Sequence, residues 1–389
     1  MTSEKKPRAT IAAVEGGGTT FRVAVCTVHP TKANQGAPTV LARTEIDSSH
    51  DNPGQTLQAC VDFLLAHKPA KGYAALGLAT FGPVGVHAHD KATYGCILPT
   101  TPKAAWRGVD LLTPLRIACQ GPSGALAVLV DTDVNAPALG EYLHEIQQGK
   151  ASRPLTILSY ITVGTGIGVG LVVNGQCVHG RMHPEGGHVP VQPLPQDAFA
   201  GYSWGVAHSP FGGRHTVEGL ASSVALTERW QQLTGASSAD VDRSVLQDLS
   251  DQHELWEHAA NALANLCASL LLTLSMEKIV LGGGLMKRKI LLDKIRQRTR
   301  VLLNGYLGDW TEDDMRQTIV LSRHGDAAGL QGAMVLAEQA LHGDLATAAA
   351  EKKMKQVAFG HGLWHGMIVG TVATALVVKY VLWPRGPRR

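Results

Sequence analysis

The order of apolar and polar positions predicts elements along most of the chain. Thr10–Val28 reads T-I-A-A-V, E-G-G-G-T-T, F-R-V-A-V-C-T-V. Two β-branched runs about a glycine turn predict a hairpin buried on at least one face. Gln55–His67 has apolar residues at helical spacing, and strand-like Ala74–Ala79 ends in F-G-P-V-G. Leu126–Val130 is an apolar run that delivers Asp131 and Asp133 at its end, and Asn135–Gln148, rich in Ala, Leu and Glu, predicts a helix. The grammar then repeats. Leu155–Val163 and Leu171–Val173 predict strands around the loop G-T-G-I-G-V-G. Glu254–Leu274 predicts a long helix, Lys278–Leu281 a strand before Gly282-Gly283-Gly284, and Gly329–Leu341 another helix. Strand–turn–strand followed by strand and helix, twice over, predicts an α/β chain of two related lobes around a cleft. The lobes are residues 1–150 and 151–342, with the change near Ala151–Arg153.

The tail differs. Residues 343–361 read as a charged, Ala-rich linker, and 362–389 contain W-H-G-M-I-V-G-T-V-A-T-A-L-V-V-K-Y-V-L-W before a basic end. Met367–Trp383 as a helix spans about 25 Å, short of the ~30 Å hydrocarbon layer, and extension back through Gly362 closes the gap. Trp364, Tyr380 and Trp383 sit where interfacial aromatics belong, and Lys379 is near enough to the end to snorkel. This segment is expected to anchor the chain in a membrane by its tail, with the lobes facing the cytosol. The alternative is a final core helix with a basic end.

Hydrophobic residues make up 44% and charged ones 17%, which excludes intrinsic disorder as the main state. Glycine is 43 of 389, about 11% against a usual ~7%, without a three-residue period, so tight backbone turns are expected rather than a collagen array. A net charge of +3 is too small for nucleic acid to be a main partner. Six scattered cysteines without a C-x-x-C pair suggest neither a disulfide framework nor a Cys-rich zinc site. The opening M-T-S-E-K-K-P-R lacks the apolar core of a signal peptide.

Three glycine turns are candidates for phosphate contact, because without a Cβ the backbone amides can approach oxygen closely. They are Gly16-Gly17-Gly18-Thr19-Thr20, Gly164-Thr165-Gly166-Ile167-Gly168 and Gly282-Gly283-Gly284. None fits G-x-x-x-x-G-K-[ST], which excludes a P-loop NTPase, and the first does not fit G-x-G-x-x-G. Glu15, Thr19 and Thr20 around the first turn suit phosphate and hydrated magnesium. In D-T-D-V-N-A, one acid is expected to cap the following helix and the other to accept a substrate proton; spacing does not say which. H-P-E-G-G-H at His183–His188 and Glu218 in V-E-G-L-A-S offer carboxylates and imidazoles for the hydroxyls of a polyol. The bland reading of the same residues is loop ion pairs and a satisfied histidine.

Together these stretches resemble the sugar kinases of the ROK family, on the two-lobed actin-like ATPase (ribonuclease H-like) fold, from about Ile11 to Ala340. V-E-G-G-G-T-T-F, A-T-F-G-P-V-G, D-T-D-V-N-A-P-A-L-G-E, H-P-E-G-G-H-V-P-V and above all A-T-Y-G-C-I-L-P-T-T-P-K-A-A-W are most similar to bacterial-type fructokinases. The resemblance implies transfer of the γ-phosphoryl of ATP, with Mg2+, to the 6-hydroxyl of fructose. It implies Asp133 as catalytic base, and Glu185, His188, Glu218, Gly82 and Pro83 as sugar contacts. Gly16, Gly17, Gly18, Thr19, Thr20, Gly164, Thr165 and Gly166 correspond to phosphate loops, Gly282, Gly283 and Gly284 to the adenosine-side turn, and Glu15 to a group on the magnesium hydration shell. A homodimer is compatible with it. A broader hexokinase acting on mannose or glucose, or an inactive membrane-tethered sugar sensor, are the alternatives. A repressor of the same family needs a DNA-binding domain before the first strand, where about ten residues stand.

The chain departs from the family at its zinc site. Between His188 and Glu218 there is no cysteine, but there are His208 and His215 in an insertion-like G-Y-S-W-G-V-A-H-S-P-F-G-G-R-H. Either His188, His208 and His215 hold zinc, or the metal is lost and the loop packs through Tyr202, Trp204 and Phe211. We favour loss. Metal analysis of the purified protein should then find no stoichiometric zinc, and one zinc per chain would overturn the preference.

Overall fold

The computed structural model describes residues 8–29, 38–48, 51–148, 155–204, 209–236, 244–308 and 310–343. His208, residues 344–361 and the expected membrane anchor 362–389 lie outside the described residues. Among the described residues, no helix is long and apolar enough to cross a membrane.

The first half comprises β1 (Ala9–Gly16), β2 (Thr20–Val28), β3 (Thr39–Asp47), α1 (Pro53–Ala66), β4 (Ala75–Thr80), α2 (Leu112–Cys119), β5 (Ala127–Thr132) and α3 (Asn135–Gln148). The second comprises β6 (Ile157–Val163), β7 (Ile167–Val173), β8 (Gln176–Cys177), α4 (Val217–Ala221), α5 (Ser223–Thr234), α6 (Val245–Asp248), α7 (Leu255–Leu274), β9 (Lys278–Gly282), α8 (Lys289–Leu303), α9 (Glu312–Thr318) and β10 (Ile319–Leu321). A last helix, α10, covers residues 328–343.

Each half builds a five-stranded sheet, in the orders β3-β2-β1-β4-β5 and β10-β9-β6-β7-β8. Numbered within its own half, each sheet has the same strand order. In both, the first strand pairs antiparallel with the second and parallel with the fourth. The repeated grammar of the sequence is therefore a repeat of topology.

Side-chain alternation decides which helix covers which face. On β4, Leu76 and Leu78 enter a cluster with Leu57 and Leu64 of α1 and Leu115 of α2. Ala75 and Ala79 point the other way, to Ala333, Met334 and Ala337 of α10. Gly77 lies between them, and a Cβ there would meet the Ala333 carbonyl oxygen at 2.1 Å. The second sheet uses the same device. Val169 and Leu171 of β7 face α4 and α7, whereas a Cβ on Gly170 would meet the Val134 carbonyl oxygen, at the start of α3, at 2.0 Å. One buried cluster thus takes in α3, α10 and one face of each sheet.

The loop expected at Gly164–Gly168 is shorter than its composition suggests. Only Gly164–Gly166 turn; Ile167 begins β7, and Gly168 pairs with Thr162. The glycines of β7 serve close packing on α3, so glycine content there does not mean a loop. β3 escapes the apolar pattern because as an edge strand it is mostly exposed or half-buried.

Gly77→Ala should destabilise by about 1–3 kcal/mol, since the α10 backbone must shift to admit one methyl group. Gly140→Ala, inside α3 with nothing within 4 Å of the added Cβ, should be neutral or stabilise by about 0.5–1 kcal/mol. Thermal melts of the two variants test this contrast.

Candidate active site

β1 and β2 meet at a tight turn. The Gly17 amide donates to the Thr20 carbonyl at 2.9 Å, and a Cβ on Gly16 would strike Thr80 Oγ1 at 2.7 Å. Gly18 at the crest has open space where a Cβ would stand. Glu15, one residue before the turn, is buried. Its carboxylate accepts two hydrogen bonds from Arg22 Nη1, at 3.2 and 3.1 Å. It also accepts from the Leu330 amide at the start of α10. A Cβ on Gly329 would strike Glu15 Oε1, so glycine is needed for this approach.

β5 ends where the two acids stand, and here the structure assigns what spacing left open. Asp131 Oδ1 accepts from Asn135 Nδ2 at 2.9 Å, and Asp131 Oδ2 lies 3.0 Å from His179 Nε2. Thr132 Oγ1 accepts from the Asn135 amide, opening α3. Asp131 and Thr132 thereby hold the strand–helix junction. Asp133, its amide bonded to the Thr80 carbonyl at 2.9 Å, turns its half-buried carboxyl into a cleft of about 240 Å³. Glycines of the first turn (Gly17, Gly18), Tyr160 and Thr162 of β6, and Gly283 and Gly284 after β9 line the same cleft. Gly283 has φ 90°, and a Cβ there would meet Val163 backbone atoms at 2.5 and 2.6 Å.

Burial, reinforced by the charge of Glu15 and opposed by Lys103, pushes the Asp133 carboxyl up to about 7. Such a group exchanges a proton near neutral pH, where a general base is most effective. Burial also raises Glu15, against the pull of Arg22.

The expected sugar residues gather beside this cleft. A Cβ on Gly82 would lie 3.0 Å from the ring of His183 and 3.5 Å from Glu185 Oε1. Glu185 is 3.9 Å from His188 Nε2 and 3.5 Å from His183 Nδ1. Burial first, then the charges of Glu218 and Asp133, push Glu185 up to about 7. Thr216 caps α4 through the Gly219 amide, which puts Glu218 in the first turn of that helix. Glu218 Oε2 accepts from the Ile167 amide at 2.8 Å, and a Cβ on Gly166 would strike it. The Gly164–Gly166 turn therefore rests on Glu218, and it is not among the residues lining the cleft.

The insertion packs in part as expected. Tyr202 and Trp204 meet edge to face at 5.4 Å, and Trp204 Nε1 donates to Glu218 Oε1 at 3.1 Å. Phe211 does not join them; it is 64% exposed. His215 has φ 50° and bonds through its backbone to Val191 and Ala200. His208 lies outside the described residues, and among those described no group of three His, Cys, Asp or Glu could hold a metal.

Two residues were missed. His183, quoted only as part of a motif, accepts from the Val84 amide at Nε2 (3.1 Å), so its proton is on Nδ1, facing the Pro184 carbonyl and Glu185. Burial holds it below its usual range. Lys103, in the stretch that carried the family resemblance, donates to the Gly18 carbonyl; only its neighbours in space give it meaning.

Residues 11–340 match the model of the ROK family. A relative from Bacillus subtilis (strain 168) is 35% identical over 341 residues, 87% of this chain and 98% of its own. Proteins named fructokinase from Zymomonas mobilis subsp. mobilis and Pediococcus pentosaceus are each 31% identical. Their matches cover 83% and 85% of this chain and 95% and 98% of their own lengths. The fold is that of a solved ROK hexokinase from Thermus thermophilus (TM-score 0.59, 22% identity, 84% of this chain and 97% of that one). A ROK family glucokinase from Streptomyces griseus, solved with glucose and AMPPNP, has a TM-score of 0.58 at 23% identity, over 85% and 99% of the two chains.

The two acids at the end of β5 should separate in stability measurements. Asp131→Ala leaves Asn135 and His179 without their acceptor and should cost about 1–3 kcal/mol. Asp133 has a folded pKa above its unfolded value, so folding is penalised fully above pH 7 and not at all below the unfolded pKa. Asp133→Asn should therefore raise Tm at pH 8 and have little effect near pH 4.

Proposed function

Because this chain belongs to the ROK family and is a sugar phosphotransferase, we propose that it transfers the γ-phosphoryl of ATP to the 6-hydroxyl of D-fructose. The observation that carries the reading is Asp133. It is the one acid of D-T-D that faces the cleft, between glycine turns from both halves, with its pKa near 7. Fructose is supported by the relatives named fructokinase, whose matches run through the Thr93–Trp106 stretch that singles out this branch of the family.

In this reading Gly82, Pro83, Glu185, His188 and Glu218 form the sugar wall. Glu185, with a pKa near 7, both donates to and accepts from hydroxyls at neutral pH. Phosphates lie along Gly16–Thr20, where backbone amides offset their charge, and Gly282–Gly284 is the adenosine-side turn. Asp133 orients the 6-hydroxyl and takes its proton as transfer proceeds. Gly164, Thr165 and Gly166 form the second phosphate turn, seated on Glu218. A divalent ion bound with ATP neutralises phosphate charge. Glu15 is already committed to Arg22 and the Leu330 amide, so these residues fit a hydrated ion carried by the phosphates rather than a protein-built cage.

Asp133→Asn should lower kcat by about 10²–10⁴-fold while ATP still binds; near-full turnover removes Asp133 as base. ADP release with fructose, mannose, glucose and N-acetylated hexoses should give fructose the highest kcat/KM. A preference for glucose or mannose favours the broader hexokinase, and no release with any of them favours the inactive sensor.

A further inference from the structure

The phosphate turn has a cation poised over it whose position is fixed by a buried ring. Trp106 is fully buried, stacked on Phe21 at 5.3 Å and edge-on to Phe81 at 5.3 Å. The 3-10 turn Ala104–Trp106 starts directly after Lys103, so the indole pins the Lys103 backbone to the core of the first sheet. From there the side chain reaches back across the turn. Its Nζ donates to the Gly18 carbonyl and stands 4.3 Å from the centroid of the Phe81 ring.

Arg22, which lines the cleft, is committed to Glu15 and Glu45. Lys103 makes no ion pair among the described residues. It is held by a neutral carbonyl and a ring face, which leaves its charge available to an incoming anion. Burial lowers its pKa, and the charges of Asp51 and Asp133 oppose that; Lys103 in turn favours the charged form of Asp133.

We propose that Lys103 is a second catalytic residue, a mobile cation that passes from the Gly18 carbonyl to the transferred phosphoryl group. The proposal rests on the reading of this site as an ATP-dependent sugar kinase with Asp133 as base. In the step, the bond from the β–γ bridging oxygen to the γ-phosphorus breaks and its electron pair leaves with ADP. The bond from the sugar 6-oxygen to phosphorus forms, and the hydroxyl proton passes to Asp133. Lys103 stays protonated throughout; its compact charge stands beside the equatorial oxygens while bonding at phosphorus is weakest. In the free enzyme it serves a second purpose, favouring the ionised, proton-accepting form of Asp133 against Glu15, Glu185 and the surrounding burial.

The test is steady-state ADP release by the full chain carrying Lys103→Met, Lys103→Arg or Asp133→Asn, measured across neutral pH. Lys103→Met should lower kcat by about 10²–10³-fold, with KM for the hexose within about threefold. The acid limb of its pH profile should move to higher pH, since the cation that lowers Asp133 is gone while Glu15, Glu185 and Tyr160 still face it. Lys103→Arg should recover part of kcat and return the limb. Lys103→Gln must show the same loss if the Met variant does not fold. A kcat within about threefold of wild type in Lys103→Met, or a loss confined to KM with the acid limb unmoved, overturns the proposal. If Asp133→Asn is inactive and Lys103→Met is not, the Lys103 assignment alone fails. Full activity in Asp133→Asn, or no phosphorylation of any hexose by wild type, brings down the underlying reading as well.

Discussion

The close approach of two helices to the small-residue faces of two sheets sets the geometry of this protein. Gly77, flanked by Ala75 and Ala79, lets the backbone of α10 meet β4, and Gly170 lets the start of α3 meet β7. The last helix of each half thereby packs on the sheet of the other half. A single apolar cluster spans both sheets and leaves the ends of β1, β5, β6 and β9 around one cleft. Interiors are packed too tightly to absorb an extra methyl group without displacement, so these glycines locate the site without touching it.

The cleft concentrates charge that water would otherwise disperse. Glu15, Asp133 and Glu185 are each held above their usual range by burial and by neighbouring acids. Arg22 and Lys103 oppose this, and they do so differently. Arg22 is locked in ion pairs that also help tie β1 to β2 and β3, whereas Lys103 contacts a carbonyl and a ring and feels the acids Asp51 and Asp133 without pairing with either. Groups kept at the edge of ionisation suit proton transfer, and their arrangement costs stability that the surrounding core must supply.

The insertion before α4 shows how a loop can take over a structural duty. Glu218 accepts from the Ile167 amide on one oxygen and from the Trp204 indole on the other. Its carboxylate joins the glycine turn of the second sheet to the loop that departs from the family pattern. A substituent on Gly166 would break this joint.

Local signals carried much of the architecture. The apolar run ending at Asp131 and Asp133, the helix Asn135–Gln148 and the glycine turn at Gly16–Thr20 follow from alternation, helical spacing and turn chemistry between near neighbours. Such signals are readable because the groups that satisfy one another lie within a few residues. What needed the folded chain was every choice between equivalent groups. Asp131 turns to Asn135 and His179 while Asp133 faces the cleft, because partners 48 residues apart meet only when the sheets form. Gly164–Gly166 serves Glu218, 51 residues away from Ile167. Lys103 reaches Gly18 across 85 residues. The sequence determined which elements form and which chemical groups they carry; the tertiary structure decided which of those groups share a space, since distance along the chain says nothing about distance once α3 and α10 have crossed between sheets.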